Sequence, residues 1–186
     1  MAALAFAALA AALIAVLATR DQDDGNRVAS PLIGRQVPHV AGAVLTGPDA
    51  DGPAAAGPAA AGAVVRFDID ADADRWILVN FFASWCAPCR REHPELVEWS
   101  GRHRYDGRLV SVPFGDTDEG AIGFFDEFGG DWPLLSDADA RWAVAFGVLR
   151  PPESFLVAPG GTVVARWQGR ITADEVDRVI AAATSA

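Results

Sequence analysis

The chain holds only two cysteines, and both fall in Trp85-Cys86-Ala87-Pro88-Cys89-Arg90. Immediately before them runs Trp76-Ile77-Leu78-Val79-Asn80-Phe81-Phe82-Ala83, an apolar stretch that reads as a buried β-strand. Immediately after them the pattern turns helical. A strand that hands over to a helix across a cysteine pair is a narrow structural requirement, and it suits redox chemistry. The unpaired N–H groups and the positive dipole end of a helix N-terminus favour a thiolate, and a second sulfur one turn on lies close enough to resolve a mixed disulfide.

Other roles for the pair are weaker. A single bridge over so short a loop closes too little chain to act as a stabilising framework. Two sulfurs are also too few for a closed structural zinc site, which takes four ligands. The chain has 186 residues, enough for one globular domain with a real core once the first residues are set aside. Apolar residues make up 51%, with six tryptophans and ten phenylalanines, which excludes global disorder. The formal charge of −10 argues against nucleic acid or an anionic membrane surface as the main ligand.

Residues 2–18 (AALAFAALAAALIAVLA) are uninterrupted apolar sequence, with no polar face to meet water. Their length lies between a signal peptide's apolar region and a minimal membrane span. The segment 1–19 is therefore expected to be an apolar helix outside the domain, either a signal-anchor or a cleaved signal peptide. A polar linker is expected over 20–31 and the domain over 32–186. A Gly/Pro/Ala low-complexity loop lies inside it at 47–62, read as a tolerated surface insertion.

Strand signals fall near 64–69, 76–82, 108–114, 154–158 and 162–168, and helical patterns near 87–103, 118–129, 138–145 and 173–184. Asp116-Thr117-Asp118-Glu119 and Thr172-Ala173-Asp174-Glu175 have capping-box spacing, and Pro159-Gly160-Gly161 reads as a hairpin turn. The order predicts an α/β domain with a mixed central sheet flanked by helices on both faces.

Trp85-Cys86-Ala87-Pro88-Cys89, with Pro94 five residues further on, resembles a thioredoxin-fold active site. Within that fold the chain is similar to the membrane-tethered, extracytoplasmic cytochrome c biogenesis thiol:disulfide oxidoreductases, the DsbE/CcmG, ResA and TlpA group. Ser30-Pro31-Leu32-Ile33-Gly34 matches the opening of those domains, and Val79-Asn80-Phe81-Phe82-Ala83-Ser84-Trp85 matches their strand into the motif. Phe146-Gly147-Val148-Leu149-Arg150-Pro151-Pro152-Glu153-Ser154-Phe155-Leu156 resembles their Gly-Val-x-Gly-Val-Pro-Glu-Thr-Phe-Leu segment. The likeness covers roughly residues 30–184.

By position, Cys86 is the exposed attacking nucleophile and Cys89, one turn in and more buried, resolves the mixed disulfide. Pro88 sits in the first turn, where its missing N–H is not needed, and Pro94 is expected to kink the helix. The resemblance makes Pro152 the family's cis-proline, packed beside the dithiol, and makes the residue before it a backbone contact for extended substrate. Here that residue is Pro151, which has no N–H to offer, a departure that weakens or redirects the usual clamp; a plain rigid turn is the other reading of the pair. Glu92 matches a carboxylate that tunes or relays protons to the thiols, against the alternative of a solvated helix glutamate. Glu153 is expected to shape an acidic groove near the dithiol. Asn80 stands where ordinary thioredoxin carries a buried Asp, which removes the usual buried base. Trp85 either covers the dithiol and contacts substrate or packs in the core. Arg90 and Arg91 either lower the thiolate pKa slightly or are solvated helix charges. His39, His93 and His103 are scattered, and no metal site is expected.

The resemblance implies a reductant of apocytochrome c CxxCH disulfides during cytochrome c maturation. It needs no cofactor beyond the redox-active pair Cys86-Cys89 and is re-reduced by a membrane electron donor of a thiol-disulfide relay. The implied location is the extracytoplasmic side of a bacterial membrane, anchored by the N-terminus or secreted if it is cleaved. A general extracytoplasmic reductase or oxidase uses the same residues. A potential near about −270 mV marks a reductant and one near about −120 mV an oxidant. A copper chaperone of the Sco type resembles CxxxC with a distant His, which this chain does not match.

Overall fold

The computed structural model of the protein describes residues 26–47 and 65–185. The apolar segment 1–19, and the low-complexity loop beyond Gly47, lie outside the described residues. Along the chain run β1 (Ala41–Thr46), β2 (Arg66–Asp68), a 3-10 turn (Ile69–Asp72), β3 (Trp76–Phe82), α1 (Ala87–Arg102), β4 (Gly107–Pro113) and α2 (Asp118–Phe128). They are followed by β5 (Leu134–Leu135), α3 (Arg141–Phe146), β6 (Glu153–Ala158), β7 (Thr162–Gln168) and α4 (Ala173–Thr184).

The strands form one mixed sheet in the order β2-β1-β5-β4-β3-β6-β7. β3 is central, parallel to β4 and antiparallel to β6, and all seven of its residues are buried. That is why its sequence is a continuous apolar run rather than an alternating one. Trp76, Leu78 and Phe82 join Leu96 and Trp99 of α1, Phe124 and Phe125 of α2 and Val176 of α4 in one cluster. Ile77, Val79 and Phe81 join Trp142 and Phe146 of α3 in the other. The expected two-faced sheet is present. Each fully buried Phe or Leu side chain contributes about 1.5–3 kcal/mol of transfer free energy.

The helices end where local chemistry dictates. α1 continues through Pro94, burying Cys89, Glu92, His93, Leu96 and Trp99, a stripe at helical spacing. α4 carries the expected capping box, Thr172 with Glu175. α2 does not. Thr117 caps it by accepting from Gly120 N, and position N3 is a glycine with no carboxylate to return the bond. α3 starts later than its sequence pattern, because Asp137 accepts from the N–H groups of Trp142 and Ala143 and fixes the entry to the helix there. From Asn26 onward the segment read as a linker lies against the sheet. Arg27 bridges Trp167, and Val28 N donates to the Arg166 carbonyl at the outer edge of β7.

Candidate active site

β3 delivers the chain to Ser84, and Ser84 is held there. Asp116, from the loop after β4, accepts from Ser84 N at 2.6 Å and from Ser84 Oγ at 3.2 Å. Arg90 donates to the Ser84 carbonyl at 2.9 Å from one turn into α1, and its guanidinium lies over the Phe128 ring. The turn into the helix is thereby fixed from both sides. Cys86 then takes the N-cap position of α1, where Ser or Asp is usual, and its Sγ accepts from Cys89 N at 3.2 Å. A backbone donor at a helix N-terminus is thus aimed at the Cys86 sulfur, an arrangement that favours a thiolate there over a thiol.

Cys86 and Cys89 are joined in a disulfide with Cα atoms 5.3 Å apart. Cys86 is 4% exposed and Cys89 2%. The expected contrast between an exposed and a buried sulfur is therefore absent in the oxidised form, where both cysteines belong to the core cluster under α1. Trp85 settles its two readings differently. It is 61% exposed, outside the core, and its Nε1 donates to the Gly115 carbonyl, which props the indole across the loop after β4.

Beneath the disulfide is a buried polar line. Cys89 and Glu92 share one face of α1, three residues apart. Glu92 is fully buried, not solvated. Its Oε1 accepts from Ile171 N at 2.9 Å and its Oε2 from Asn80 Nδ2 at 3.2 Å. Burial pushes its pKa up to about 8, against the pull of these two hydrogen bonds and the Arg170 charge. A carboxyl that exchanges a proton near neutrality beside a thiol is suited to general acid–base work. Asn80 also donates to Ser154 Oγ at 3.0 Å.

The peptide Pro151–Pro152 is cis. Phe81 pairs with Glu153 across β3 and β6, so Pro152 falls beside Phe82 at the end of the strand that leads to Cys86. Its carbonyl accepts from Gly169 N. Glu153 does not line an acidic groove. It is fully buried, accepts from Arg166 Nε and Nη2 at 3.2 and 2.8 Å, and takes further bonds from Gln168 Nε2 and Leu149 N. Its charge is matched by Arg166, and it ties β6, β7 and the 147–149 loop together.

The histidines do not converge on the dithiol. His93 points from α1 into Phe124, Phe125, Phe128 and Trp132, donates to the Gly129 carbonyl, and has its pKa lowered by burial. His103 stacks on Trp99 between Asp106 and Asp177, and His39 pairs with Asp70 on the surface. Arg91 is exposed. Sequence reasoning missed Asp116, Ser154 and Arg166. Arg166 left a signal, an arginine at hairpin distance from Glu153, and Asp116 stood in a capping-box pattern that did not point to Ser84.

The Redoxin family model matches residues 48–182. The thiol:disulfide interchange protein DsbE homolog of Paracoccus denitrificans is 34% identical over 155 residues, 83% of this chain and 76% of its own length. HelX, a thiol:disulfide interchange protein of Rhodobacter capsulatus, is 32% identical over 161 residues, 86% of this chain and 81% of its own. A crystal structure of a thiol:disulfide interchange protein of the thioredoxin family from Chlorobium tepidum shares the fold. Its TM-score is 0.63 at 19% identity, over 83% of this chain and 97% of that one.

These likenesses and a cysteine pair capping the helix after a central strand define a thiol:disulfide oxidoreductase of thioredoxin fold. Within that class, the chain belongs to the redoxin family and, inside it, to the DsbE-type thiol:disulfide interchange proteins.

Proposed function

We propose that this protein is an extracytoplasmic dithiol reductant, held at a bacterial membrane by its apolar N-terminus, and that its substrate is the CxxCH disulfide of apocytochrome c. The observation that carries the reading is the placement of Cys86 at the N-cap with the Cys89 N–H on its sulfur. In the cycle the Cys86 thiolate attacks one substrate sulfur, and the other leaves as a thiolate. Cys89 then gives its proton to Glu92 and attacks Cys86 Sγ. The second substrate sulfur leaves, and the Cys86–Cys89 disulfide forms. Two electrons have passed to the substrate, and a membrane dithiol donor returns them. No cofactor beyond the cysteine pair takes part.

Trp85 offers an exposed apolar face to the substrate beside the motif. Pro151 replaces the usual backbone donor with a ring, so one β-type hydrogen bond to substrate is missing and side-chain contacts carry more of the affinity. The test is a Cys89→Ala variant expressed in cells. The reading expects mixed disulfides through Cys86 to apocytochrome c. Trapping that excludes c-type apocytochromes, or no trapping at all, contradicts it.

A further inference from the structure

The exchange chemistry leaves one hydroxyl of the buried line unused. Ser154 lies opposite Asn80 in the β3–β6 register, and Glu92 reaches Asn80 from α1. All three residues are 1% exposed or less. Asn80 Nδ2 spends its two hydrogens on Glu92 Oε2 and Ser154 Oγ. With Ile171 N on the other oxygen, Glu92 meets N–H donors at both oxygens, an arrangement that suits a carboxylate. A protonated Glu92 carries an O–H, and Asn80 Nδ2 cannot accept it. Half a turn of the Asn80 amide places Oδ1 where Nδ2 stood, with two lone pairs along the same two directions. The third member must then change from acceptor to donor, which a hydroxyl does by rotating its hydrogen.

We propose that Ser154 is a positioning residue that keeps the Asn80 amide paired with Glu92 in both protonation states. It accepts from Nδ2 while Glu92 is a carboxylate, and it donates to Oδ1 of the turned amide once Glu92 holds a proton. This rests on Glu92 as the proton acceptor of the thiol cycle. The charged groups facing Glu92 are Arg170, which favours the carboxylate, and Glu175 of α4, which opposes it; Cys89 lies one turn back on α1. Glu153 and Arg166 satisfy each other, and His93 is turned into the Phe124 cluster.

The device has a direction. In Ser154→Ala the ionised state leaves a buried Asn80 N–H without an acceptor. The protonated state leaves only a second lone pair unused, which costs less. The charged form is penalised, so the Glu92 midpoint rises by about one pH unit. Ser154→Thr keeps the hydroxyl and restores the wild-type midpoint. The experiment is carboxyl ¹³C NMR of the oxidised full chain across pH, with the Glu92 signal identified by its loss in Glu92→Gln.

A raised midpoint in Ser154→Ala with rescue in Ser154→Thr supports the proposal. An unchanged or lowered midpoint, or a threonine variant that behaves like the alanine one, overturns it. Ser154→Val, close in volume to Ser154→Thr, supplies the same contrast should the alanine variant not fold. The oxidised protein has no thiols to titrate, so this result is independent of the exchange cycle. Whether Glu92→Gln slows release of the mixed disulfide tests the parent reading separately.

Discussion

Replacing Glu92 by Gln takes away a fully buried carboxyl whose hydrogen-bond partners are all neutral, and leaves a side chain of nearly the same shape. Glu92 titrates from an ordinary value of 4.5 to about 8 in the fold, and burial is the main cause. Between those values the folded protein keeps a proton that the unfolded chain has released. Stability from this group is therefore fully present below the unfolded value and is lost as pH rises through the window. Each tenfold change in proton affinity is worth about 1.4 kcal/mol, so ionising Glu92 in place withdraws roughly 4–5 kcal/mol. The glutamine does not ionise, and Asn80 can turn its amide to meet it. Urea denaturation of the oxidised proteins, followed by tryptophan fluorescence from about pH 5 to about pH 9, reads the difference. The variant should lose about 3–5 kcal/mol less than wild type over that range, and the two should converge at the acid end. Parallel stability profiles would refute the claim that burial holds the Glu92 proton.

Three further outcomes follow from the site. Glu153→Gln leaves Arg166 buried without its counter-charge and should cost about 3–5 kcal/mol in urea denaturation; a loss below about 1 kcal/mol would refute the claim that this ion pair ties β6 and β7 together. Asp116→Ala frees Ser84 N and Oγ and should destabilise by about 1–3 kcal/mol while slowing peptide-disulfide reduction, since the turn that presents Cys86 loosens; full activity would mean that Arg90 suffices to hold the turn. Pro151→Val restores a backbone N–H before the cis-proline and should lower KM for a disulfide peptide, whereas an unchanged KM dismisses the missing donor as a factor.

The parts of this fold legible in the sequence are those with long unbroken periodicity. β3 and β7 match their sequence signals at both ends, and α1 to within one residue, because burial on both faces or along one stripe leaves a dense apolar record. β1 left little: Ala-Gly-Ala opens it, and most of its residues are only half-buried. β5 is two leucines long, too short to show any period. The cysteine pair and the proline pair were plain, being defined by residue type and spacing. The polar network under them was not. Glu92 meets Asn80 12 residues back, Ile171 79 residues on and, through Asn80, Ser154 of a third element, and no local pattern records which face of α1 lies over which strand. Asp116 was legible only as a helix-capping candidate, and the fold turns it to Ser84 instead.

Whether Cys86 is the reactive thiolate is best tested by iodoacetamide labelling of the reduced protein across pH, with the modified cysteine located by mass spectrometry. The N-cap position and the Cys89 N–H predict that Cys86 is labelled first, with a midpoint below the roughly 8.5 of a free cysteine. Labelling of Cys89 ahead of Cys86, or a Cys86 midpoint at or above that value, would contradict the assignment of Cys86 as the attacking sulfur.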